Sequence, residues 1–140
     1  MFEKFNPEMH IRNILEQPTV DLYHPDGNPL QGICGVAGTA EYLRSGARVG
    51  ADRLMLQPGS EFELHTHPGA HILYVLRSTG YIHIDGVDYE MTAGDTVFVP
   101  AEYAHAVKTN QKFTEPLELL AFGVPHMPLQ STERMTVVEQ

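Results

Sequence analysis

From about residue 48 to residue 122 the chain alternates apolar and polar positions with a period of two. In residues 48–57, Leu54 and Leu56 interleave with Arg53, Met55 and Gln57. That is the pattern of a strand with unlike faces. Similar short runs follow at 62–67, 71–76, 81–84, 87–91, 96–99, 105–109 and 117–122. Pro58-Gly59, Pro68-Gly69 and Pro100 separate them, and Asp85-Gly86 marks a hairpin. Seven or eight short strands with no long helical pattern between them predict an all-β sandwich or barrel. A closed barrel or jelly roll removes most strand edges and leaves a mouth for a ligand.

The first 47 residues lack this alternation and are expected to form an irregular extension. Residues 10–17 can form a short helix with Ile11, Ile14 and Leu15 on one face, stopped by Pro18, and residues 24–29 carry turn chemistry. The expected division is an extension over 1–47, a barrel over 48–125 and a tail over 126–140. Residues 71–76 are apolar on both faces, Ile72, Tyr74 and Leu76 opposing Leu73 and Val75. A homodimer covering the second face is therefore expected, with residues 40–44 reaching toward the partner.

Charge narrows the choice of partner. Acidic residues outnumber basic ones 18 to 9, for a net charge of −9, so nucleic acid is not expected. The longest apolar run is about five residues against the roughly 20 that span a bilayer, so no membrane partner is expected. Cys34 is the single cysteine, and no secretory signal is legible at the N-terminus. Both features fit a cytoplasmic protein.

Chemistry concentrates in the histidines. Of eight in the chain, His65, His67 and His71 fall within seven residues. His65 and His67 are two apart on one strand and share a face. His71 opens the next strand after a Pro-Gly corner, and His105 follows a Gly-Asp turn and a Pro-ended apolar run. His10, His24, His83 and His126 lack such a context and are expected to be ordinary surface or structural residues.

These spacings resemble the two motifs of the cupin superfamily. Gly59, His65, His67 and Gly80 match the first motif; Gly94, Pro100 and His105 match the second. The resemblance covers residues 50–122 and implies a double-stranded β-helix, the cupin jelly roll. Three positions depart from the motifs: His71 replaces the acidic ligand, Glu102 replaces a glycine, and the usual asparagine falls one residue late, at Asn110. The resemblance implies one divalent transition metal per chain (Fe, Mn, Ni, Zn or Cu), held by His65, His67, His71 and His105. Imidazole suits these ions, whereas Mg and Ca want oxygen. Four neutral ligands leave the full +2 charge on the ion, which favours anionic chelating substrates.

Around such a centre, Glu63 shares the apparent parity of His65 and is a candidate proton-transfer group, as is Glu61. Arg53 and Gln57 are candidate anchors for an anionic substrate, and Tyr103 is a candidate hydrogen-bond donor to an intermediate. The expected function is a metal-dependent enzyme on a small anionic or enolisable molecule. A dioxygenase using Fe or Cu leads, with a redox-neutral isomerase, cyclase or lyase as the alternative. A non-catalytic metal or ligand sensor is the reading from outside enzymology.

Overall fold

Two strands precede the region where alternation begins, β1 (Val20–Tyr23) and β2 (Pro29–Tyr42). They appear in a computed structural model of the protein that describes residues 4–138. The expectation of an irregular extension over 1–47 is thereby corrected. The strand was hidden because Gly32 takes a φ of 75°, a conformation that suits glycine. This places Leu30 and Ile33, three residues apart, both in the core. A register shift between Ala37 and Ala40 breaks the alternation again.

The short helix is also displaced. Helix α1 covers Pro7–His10 and is capped by Asn6, whose side chain accepts from the Glu8 amide at 3.0 Å. At Ile11 the backbone turns extended. The Asn13 side chain then accepts from the Leu15 amide at 2.8 Å, a local turn that competes with helix. Ile11 and Leu15 are 67% and 70% exposed, so no apolar face is buried to favour a helix over 10–17.

The remaining strands lie close to their expected places: β3 (Arg48–Leu56), β4 (Glu61–Thr66), β5 (Ala70–Arg77), β6 (Thr79–Ile84), β7 (Val87–Thr92), β8 (Thr96–Val99), β9 (His105–Lys108), β10 (Leu117–Val124) and β11 (Thr136–Val137). Asp85 and Gly86, both with positive φ, close the β6–β7 hairpin, as a primed turn requires. One sheet runs β1-β2-β3-β10-β5-β8, and the other runs β11-β4-β9-β6-β7. Together they make the jelly-roll sandwich. Leu56, Val75, Val99, Leu117 and Leu119 are fully buried between the sheets, each contributing about 1.5–3 kcal/mol by leaving water.

Residues 126–138 are no loose tail. Leu129 and Met135 are in the core, and β11 pairs with β4, Val137 opposite His65. On the outer face of the six-stranded sheet, Phe98, Ile72 and Phe122 lie in register across three strands and are exposed.

Candidate metal centre

The histidines meet between the sheets at one end of the sandwich. His65 on β4 pairs in register with His105 at the start of β9, His67 follows the end of β4, and His71 comes across from β5. Leu54, Leu73, Val107, Leu119 and Ala121 wall the same cavity with apolar surface.

Backbone carbonyls set the orientation of three rings. His65 Nδ1 donates to the Glu63 carbonyl at 2.5 Å, His67 Nδ1 to that of Gly69 at 2.7 Å, and His105 Nδ1 to that of Tyr103 at 2.8 Å. A carbonyl only accepts, so each ring carries its proton on Nδ1 and keeps a free lone pair on Nε2. The Nε2 atoms of His67 and His105 face each other at 3.3 Å. Two facing lone pairs have no proton to share. Nitrogens bound about 2.0–2.1 Å from one ion are spaced about 3.0–3.4 Å apart, and the observed gap fits. Ligand atoms of His65, His67 and His105 all lie within 4.8 Å of one another.

All four imidazoles are held neutral. Burial is the main cause; the neighbouring histidines and Arg134 add to it for His65, His67 and His71, and Arg134 does for His105. His67 is lowered to about 4 and His71 to about 3. At neutral pH a cation meets donors that need not shed protons first.

His71 enters the same cavity but stands outside the three-nitrogen cluster. Its ring lies 4.2 Å from that of His67, edge to face, and its buried Nδ1 has no hydrogen-bond partner. The ring fits beside β10 only because Gly123, its cross-strand neighbour, has no side chain: a Cβ there would lie 2.9 Å from His71 Nε2.

The other sequence candidates lie elsewhere. β4 carries an extra residue between Phe62 and His65, a bulge opposite β9. Phe62 and His65 both point inward, so Glu63 points out and pairs with His24 at 3.2 Å. Arg53 faces the outer side of β3, ion-paired with Glu118. Gln57 is exposed beyond the end of β3, and the Tyr103 hydroxyl donates to Asp85 at 2.8 Å on the surface. Glu63 and Tyr103 serve the site through their carbonyls. Glu102, where the motif has glycine, takes a φ of 62° at a cost of about 1 kcal/mol. Its amide donates to the His67 carbonyl at 2.9 Å, tying the loop before His105 to the one after β4.

Three residues were not anticipated. Asp52 and His126 form a buried pair at 2.7 Å, so His126 is a structural histidine of the interior. The clue was available, since Asp52 shares the core-facing parity of Leu54 and Leu56. Arg134 was not legible. It reaches the histidine cavity from the irregular segment before β11, its guanidinium carbon 5.9 Å from the centre of the Phe62 ring.

Comparison with known proteins settles the family. The cupin domain family matches residues 52–123, half of the chain. This chain is a cupin. It is 36% identical over 69 residues to an oxalate-binding protein of Thermotoga maritima, a match covering 49% of the cupin and 56% of that relative's length. Among solved structures, the fold resembles KdgF from Halomonas, with TM-score 0.67 and 14% identity over 84% of this cupin and 95% of that chain. It also resembles the polyketide cyclase RemF from Streptomyces resistomycificus, with TM-score 0.62 and 15% identity over 100% of this cupin and 87% of that chain. At these identities the structural likeness concerns the fold alone. Among the described residues, no helix of this cupin is long and apolar enough to cross a membrane.

Proposed function

We propose that this cupin is a metal-dependent enzyme that acts on a small, anionic or enolisable organic molecule, as a dioxygenase-type oxidoreductase. The observation that carries the proposal is the convergence of unprotonated Nε2 atoms, 3.3 Å apart for His67 and His105, in a cavity whose lining includes no carboxylate. His65, His67 and His105 are the residues to hold the ion, with His71 a fourth ligand on rotation of its ring. A bound transition metal supplies Lewis acidity and, for Fe or Cu, oxygen activation. The chain's own part is to keep the imidazoles neutral and oriented, to exclude water with Leu73, Val107 and Leu119, and to admit a small molecule to the histidines.

The dioxygenase assignment rests on what lines that pocket. Apart from the histidines and Arg134, every lining side chain is apolar, so none offers a carboxyl or phenol for proton transfer. A redox-neutral isomerase, cyclase or lyase is the second reading, favoured by the unpartnered Nδ1 of His71, which is free to hydrogen-bond a bound substrate. Oxygen uptake by the metal-loaded protein, offered a panel of enols, catechols and 2-oxo acids, separates the two. The proposal expects turnover to stop when oxygen is removed; turnover that persists anaerobically overturns the dioxygenase.

A further inference from the structure

Arg134 is the cation of the histidine cavity. Among the described residues, no carboxylate lies within ion-pairing distance of it, whereas Arg53 and Arg77 both have such partners. The residue is partly buried, and burial lowers its pKa while the Asp52 carboxylate opposes that. The field of Arg134 reaches His65, His67, His71 and His105 alike. Asp52, the acid whose charge acts on it, is already engaged with His126. A buried guanidinium without a counter-ion is costly, and a divalent ion on the neighbouring histidines adds to the positive charge with nothing to offset it. The missing charge belongs to a ligand.

Position says which part of a ligand. With His67 and His71, Arg134 lines both the histidine cavity and an adjoining chamber bounded by Asp52, Pro125 and His126. A molecule held at the histidines therefore meets the guanidinium where the two spaces join. The segment carrying Arg134 is fixed on both sides, by Leu129 and Met135 in the core and by β11 pairing with β4. The planar fork of arginine matches a carboxylate through two parallel hydrogen bonds.

We infer that Arg134 is the specificity-determining residue of this cupin, selecting substrates that carry a carboxylate beside the group presented to the histidines, such as 2-oxo acids or short dicarboxylates. The inference rests on the metal-centred reading above for the chelating end of the ligand, and on Arg134 alone for the other.

The test uses the whole protein, metal-free and Co(II)-loaded, with oxalate and acetohydroxamate as probes. Oxalate carries the second carboxylate; acetohydroxamate chelates without one. Binding is followed by the visible Co(II) spectrum, and in the metal-free protein by the shift in melting temperature. Arg134→Gln is expected to retain metal and acetohydroxamate binding but to weaken oxalate about 10- to 100-fold. Arg134→Lys should recover part of the loss, and the surface variant Arg77→Gln should behave as wild type. Oxalate affinity that is unchanged in Arg134→Gln, or equal losses for both probes, overturns the inference, as does oxalate binding to neither form of the wild type. A wild type that takes up no Co(II), yet shows an oxalate shift lost in Arg134→Gln, overturns the metal-centred reading and leaves the role of Arg134 standing.

Discussion

Removing His67 should make the metal-free protein less sensitive to acid. In an unfolded chain the imidazole titrates near 6.5; in the folded cavity it is lowered to about 4, first by burial and then by His105. Between those values the unfolded chain binds a proton that the folded chain refuses, so stability is intact above pH 6.5 and falls as pH drops toward 4. The full span corresponds to about 3 kcal/mol, and at pH 5 about 2 kcal/mol of it is already lost. His65, His71 and His105 are lowered as well and act with the same sign. The chain has no tryptophan, so urea unfolding of chelator-treated protein is best followed by circular dichroism. Between pH 7.5 and pH 5, His67→Asn should lose about 2 kcal/mol less than wild type. Parallel losses in the two proteins would refute the claim that the cavity holds His67 neutral.

Two further substitutions probe the surroundings of the site. Gly123→Ala places a methyl group 2.9 Å from His71 Nε2; it should displace that ring, and isothermal titration should show altered metal affinity with the fold retained by circular dichroism. Asp52→Ala removes the hydrogen-bond partner of the buried His126 Nε2 and should destabilise the protein by about 1–3 kcal/mol, readable as a lowered urea midpoint.

The strands that announced themselves in the sequence were those bounded by sharp breaks. Pro58-Gly59, Pro68-Gly69, Asp85-Gly86 and Pro100 each stand at a strand end, and the apolar alternation between them needs no long-range information. β2 was hidden because Gly32 and the irregularity after Ala37 reset its parity. The three clustered ligands were legible because a His-x-His pair on one strand and a proline-led histidine on another are local patterns. The residues around them were not. One extra residue in β4 turns Glu63 from inward to outward, and an alternation rule has no access to a bulge set by pairing with β9. Arg53 was given the wrong face for the same kind of reason: β3 turns Leu54 and Asp52 inward, and only the packed sandwich decides which face is inside. Arg134 comes to the cavity through the docking of Leu129, Met135 and β11, contacts that exist only in the folded chain.

The central claim is that His65, His67 and His105 hold a metal ion. Its most direct test is metal content by plasma mass spectrometry, on wild type and on His65→Ala/His105→Ala, purified without chelator or histidine tag. About one transition-metal ion per chain in the wild type, absent from the double variant, is the predicted result. Equal metal in both proteins, or none in the wild type after reconstitution, would contradict it.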